Sequence, residues 1–138
     1  MPSLQERLLT VLSEVLPLEE ESDGALTVRH DGTIASLRVV TITEDLDLVS
    51  LTQILAWDLL LTKKIRDSVT EQAHSTLPGT VALVEKAGEP SAKRNSSKTG
   101  DVMLRYNFPG SGLTDDALRT LILMVLEKGA EIRHALTG

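Results

Sequence analysis

The chain has 138 residues, a formal net charge of −6, 41% hydrophobic residues and no cysteine. An acidic balance argues against binding driven by nucleic-acid phosphates, the lack of cysteine removes disulfide and thiolate chemistry, and the apolar content argues against general disorder. One domain, 1–138, is the simplest organisation at this length, and with aromatic residues at only 2% its core must be built from Leu, Val, Ile and Ala.

The first predicted element is a helix. Ser3 and Glu6 have capping-box spacing, Leu4, Leu8, Val11, Leu12 and Val15 recur at helical intervals, and Pro17 ends the run. PLEEESDG, 17–24, reads as an acidic connector. ALTVRH and TIASLRVVTIT follow, divided by Asp31-Gly32. That dipeptide favours the positive φ angles of a type I′ turn, so a β-hairpin is expected.

Two readings fit 44–76: one helix over about 47–74, or a strand over 46–58 and then a helix over about 62–76. Periodicity does not arbitrate. Length and caps favour strand then helix, with Thr62 as N-cap and Ile65, Val69 and Ala73 on the helix's apolar side. The strand then places Val49, Leu51, Leu55 and Trp57 on one face, and Leu48, Ser50, Thr52, Ile54 and Ala56 on the other.

LPG, 77–79, reads as a turn and TVALVEK as a strand. AGEPSAKRNSSKTG, 87–100, reads as a polar hairpin loop. DVMLRYNF, 101–108, is a strand with Val102, Leu104, Tyr106 and Phe108 on one face and Asp101, Met103, Arg105 and Asn107 on the other. After Pro109-Gly110, Thr114 caps a final helix whose first turn carries Asp115 and Asp116, favourable at the positive end of the helix dipole. Gly129 either admits a close neighbour or breaks this helix. Its apolar run LILMVL, 121–126, is far short of the roughly 20 residues that span a bilayer. MPSLQERLL lacks the basic and long apolar regions of a secretory signal. A soluble cytoplasmic protein without a membrane role is expected.

Helix, three strands, helix, two strands, helix is an αβββαββα order. Three stretches, LTVRHDGTIASLRVV, VSLTQILAWDL and DVMLRYNFPGSGLTDDALRTLI, resemble the YbjN-type members of the type III secretion chaperone-like family in pattern and order. The resemblance implies an α+β fold in which a twisted, mainly antiparallel sheet packs with helices. It also implies a protein-binding module, often a homodimer, that uses no cofactor.

The chemistry-bearing residues point away from catalysis. His30, His74 and His134 have no i, i+4 pairing and no cysteine beside them, so no metal site is expected. The carboxylates of EEESD, 19–23, and EDLD, 44–47, read as solvated connectors. Asp115 and Asp116 would repel a phosphate at the last helix. Lys86, Lys93, Arg94 and Lys98 form a basic loop, read first as a solvated tip. Tyr106 and Phe108 read as core. Trp57, at a possible strand end, is expected in the core but is also counted among the binding candidates.

What remains is surplus apolar surface. The last helix is apolar beyond one stripe, exposing Leu123 and Met124 as a dimer or partner surface. The sheet's second face would carry Val40, Ile54 and Met103 among Arg38, Arg105 and hydroxyl side chains. Monomers rarely leave large apolar patches bare. The expectation is therefore a non-enzymatic protein-binding module, a chaperone-like or adaptor homodimer. It would hold a segment of another protein through Arg38, Val40, Ile54, Trp57, Met103 and Arg105. The alternative is a regulatory or sensory domain binding a small apolar ligand in a Leu- and Val-lined pocket.

Overall fold

The computed structural model describes residues 2–76, 78–86 and 98–137. The elements are α1 (Leu4–Ser13), β1 (Leu18–Glu20), β2 (Leu26–His30), β3 (Thr33–Thr43), β4 (Leu46–Leu60), α2 (Lys63–Ser75), β5 (Thr80–Lys86), β6 (Thr99–Pro109) and α3 (Asp115–Thr137). The strands make one six-stranded sheet in the order β1-β2-β3-β4-β6-β5. Every neighbouring pair is antiparallel. The α+β architecture is the expected one.

The acidic connector contains an addition, the three-residue strand β1. Leu18 pairs with Val28 and packs on the core, so one apolar residue in an acidic run suffices to dock it against β2. The β2–β3 turn is the anticipated type I′: Asp31 and Gly32 have φ of 47° and 82°. Segment 47–60 is strand, because Val49, Leu51, Gln53 and Leu55 alternate into the core at zero exposure. α2 begins where Thr62 Oγ1 accepts a 3.2 Å bond from the Ile65 amide. The caps on α1 and α3 also form, with Ser3 Oγ accepting from Glu6 and Thr114 Oγ1 from Ala117.

All three helices lie on one side of the sheet. A single core joins Leu4, Leu8 and Leu12 of α1, Val69 of α2 and Leu118, Ile122, Val125 and Leu126 of α3. Across from them stand Leu37, Leu51, Leu55, Leu104 and Phe108 of the sheet. α3 touches β3, β4, α1 and α2, which accounts for its broad apolar surface: a helix flanked by two others buries more than one stripe. Tyr106 and Phe108 stack with ring centroids 5.1 Å apart on this inner side.

The centre of the seam between sheet and helices is polar, and sequence reasoning passed over it. Gln53 is fully buried. Its Nε2 donates to Thr33 Oγ1 at 2.8 Å and to the Leu126 carbonyl at 3.1 Å. Its Oε1 has no hydrogen-bond partner among the described residues and lies 2.0 Å from where a Cβ on Gly129 would stand. α3 runs unbroken through Gly129, so this glycine admits a close neighbour; it does not break the helix.

Gly129→Ala would drive a methyl group into the Gln53 amide. We expect a loss of about 1–3 kcal/mol in urea unfolding, as for other overpacked sites. Gln53→Ala in the same chain should recover part of that loss, and the coupling between the two changes is read from a double-mutant cycle.

Candidate protein-interaction face

Cross-strand register fixes what the sheet shows on the side without helices. Ile34 pairs with Ile54, Ile54 with Met103 and Met103 with Ala82, so four apolar side chains cross β3, β4, β6 and β5 in one row. Beside it runs a polar row, Glu19–Thr27–Ser36–Thr52–Arg105–Thr80. Next come Arg38–Ser50–Asn107, and then a second apolar row, Val40–Leu48–Pro109. The face is thus banded across the strands, apolar at both ends and polar through the middle.

Trp57 joins the first apolar row by a device that alternation alone does not reveal. The β4–β6 register slips between Ile54 and Ala56, leaving Leu55 without a paired residue on either neighbouring strand. Leu55 and Ala56 are both buried. Two successive inward residues mark a β-bulge, and the side chains that follow directly change face, until a second register shift between Ala56 and Leu59 returns Leu59 to the core side. Trp57 therefore leaves the core face that strict alternation assigns it and is 40% exposed on the open side; Ala56 moves the other way. The carbonyl freed at Leu55 accepts a 2.7 Å bond from Arg133 Nη1 of α3. The same guanidinium lies over the β2–β3 turn, where a Cβ on Gly32 would stand 2.8 Å from Arg133 Nε. Trp57, Ile34, Thr33, Arg29 and the turn residues His30 to Gly32 line a surface hollow of about 420 Å³.

The charges around this face are mostly spoken for. Arg38 pairs with Asp23 at 2.8 Å and Arg29 with Glu19 at 3.1 Å. The Ala25 amide and then Arg38 hold the Asp23 carboxyl below the ordinary carboxylate range. Past Trp57, Lys86 bridges Asp58 and Asp101, the latter at 3.1 Å. These contacts, Asp58 first, raise the Lys86 ammonium above its usual value. The Asp58 amide, then Lys86, push the Asp101 carboxyl down. Arg105 is exposed and has no ion pair among the described residues.

Arg38, Val40, Ile54, Trp57, Met103 and Arg105 thus share one surface. Leu123 and Met124 stand apart in the helical layer, Leu123 half-buried and Met124 48% exposed. Of the basic loop, Lys93 and Arg94 lie outside the described residues; Lys98 is exposed and Lys86 is engaged as above. His30 contacts Glu127 at 3.2 Å and His134 contacts Asp31 at 3.5 Å. No group of three or more potential ligands gathers for a metal among the described residues, and no helix is long and apolar enough to cross a membrane.

No protein-family profile matches the chain, and no curated protein matches it in sequence. Its fold is nevertheless that of a solved structure. The crystal structure of YbjN from E. coli, a proposed transcription regulator, superposes with a TM-score of 0.61 at 15% identity, over 95% of this chain and 88% of that one. The expected YbjN-like architecture is therefore shown, and at this identity the likeness speaks for the fold alone.

The Asp101 carboxyl is depressed in the folded state, so it contributes stability above its unfolded value near 3.9, and this is lost as pH falls through the folded value. Asp101→Asn should lower stability at pH 7. The gap to wild type should close as unfolding is repeated at successively lower pH, below the ordinary carboxylate range.

Proposed function

We propose that the protein is a non-enzymatic binding module, a chaperone-like or adaptor homodimer of the cytoplasm, which holds a segment of another protein on the open face of its sheet. One observation carries this reading: all three helices cover the same side, leaving the row Ile34–Ile54–Met103–Ala82 and Trp57 uncovered on the other. An antiparallel sheet commonly faces water on one side, but that side is then polar. Here a transverse apolar band interrupts it, ending at a half-exposed tryptophan, a residue type enriched at binding hot spots. Arg38, Val40, Ile54, Trp57, Met103 and Arg105 would contact the partner. Leu123 and Met124 on α3 would meet the second copy, which keeps the sheet face free.

The reading as a sensor of a small apolar ligand finds less support. The hollow beside Trp57 opens on the surface, and the core side chains of β3, β4 and α3 fill their own interior at zero exposure.

A photoreactive residue installed at Met103 should form adducts with another protein in the native cell, whereas one at the exposed Thr120 of α3 should not. Ile54→Asp or Trp57→Ala should abolish those adducts without unfolding the chain. Failure of Met103 to yield any protein adduct would count decisively against the reading. Separately, sedimentation should give twice the 15.0 kDa chain mass, and Met124→Glu should return it to the monomer.

A further inference from the structure

The open face carries a clue to the chemistry of its occupant. The protein is acidic overall, with 20 carboxylate residues against 14 Lys and Arg, yet in the polar rows at the centre of this face the described residues include one carboxylate, Glu19 on the edge strand β1, and Arg29 already engages it at 3.1 Å. Its cross-strand rows read Glu19–Thr27–Ser36–Thr52–Arg105–Thr80 and Arg38–Ser50–Asn107. Arg38 is engaged by Asp23 and Lys86 by Asp101. Arg105, one row from the apolar band, is ringed by hydroxyl and amide side chains and has no ion pair among the described residues. We infer that the segment held on this face is amphipathic and acidic. A carboxylate of the partner seats on Arg105, and a large apolar side chain enters the hollow between Trp57 and the β2–β3 turn. This rests on the binding reading above and adds the partner's chemistry to it.

Charge and geometry both bear on the choice of occupant. A guanidinium offers a planar fork that matches a carboxylate with two parallel hydrogen bonds. A second copy of this chain fits poorly. A two-fold pairing of the face with itself, centred on Arg105, brings like charges together, because a two-fold interface uses the same patch on both subunits, and the carboxylate of that row, Glu19, stands four strands away and is already paired with Arg29. The spacing is also set. Arg105 and Ile34 lie two strands apart and one side-chain row apart, so strand separation and rise put them about 12 Å from each other. An extended segment spans that distance between residues i and i+4, which leave the strand on the same side. The occupant's signature is therefore an Asp or Glu four positions from a Leu, Ile, Phe or Met.

The test is selection of a displayed library of random twelve-residue peptides on the immobilised full chain. Tryptophan-free winners are then titrated by fluorescence. Trp57 is the only tryptophan, so a change in its emission reports occupancy of this face directly. Winners should carry the acid-to-apolar spacing and perturb Trp57. Arg105→Glu, which alters an exposed position, should weaken them roughly tenfold, and selection on that variant should exchange the acid for Lys or Arg. Winners that need Ile54 and Trp57 but show no acidic preference, and bind Arg105→Glu equally well, would overturn this inference and leave the binding face standing. Winners indifferent to Ile54→Asp, or none at all, would remove both. A wild-type dimer that Ile54→Asp splits would mean that a second copy sits here, and would also overturn it.

Discussion

The arrangement hangs on the contact between the central strand β4 and the long helix α3. Two polar side chains make it specific. Gln53 reaches from β4 into the notch at Gly129 and ties itself to Leu126 and Thr33. Arg133 reaches back from α3 to the Leu55 carbonyl. A leucine-rich core permits many packings of similar energy, whereas buried polar groups penalise every arrangement that leaves them unpaired. One turn of α3 separates Gly129 from Arg133, and two residues of β4 separate Gln53 from Leu55. The two contacts therefore fix both the register and the rotation of the helix over the strand.

The consequences reach the opposite face. The bulge at Leu55 requires a donor for a carbonyl outside either ladder, and Arg133 supplies it from the helical side. With the bulge in place, Trp57 is turned outward. A contact inside the molecule thus decides what the exterior displays. The apolar band on the open face is not a by-product of poor amphipathicity; it follows from strand register and from one inserted residue. The Oε1 of Gln53, without a partner among the described residues, is a cost borne at the same seam, consistent with specificity of packing outranking maximal stability there.

Much of this was legible from the residues. Asp31-Gly32 announced its hairpin, Thr62 and Thr114 their helices, and the alternation in 101–108 its buried face. The placement of Arg38, Val40, Ile54, Met103 and Arg105 on one side followed from period-two patterning. What escaped was non-local. The bulge leaves no mark in Ile54-Leu55-Ala56-Trp57, because all four residues are apolar and suit either face. Gln53 looked like one polar residue in an apolar strand, and only Gly129, 76 positions later, explains it. β1 hid in an acidic run because a single leucine docks it. The broad apolar side of α3 pointed to an absent partner, when α1 and α2 already cover most of it.

The strand order has a bearing on how the molecule comes to be made. From β1 to β4 each strand lies beside its predecessor, so this meander closes through nearby contacts. β6 then slots between β4 and β5, and α3 arrives last. During synthesis the longest strand must wait, one side bare and its leucines uncovered, until the final third of the chain has left the ribosome. A nascent chain of this design is open to mispairing until then, and truncations before 99 should aggregate through β4.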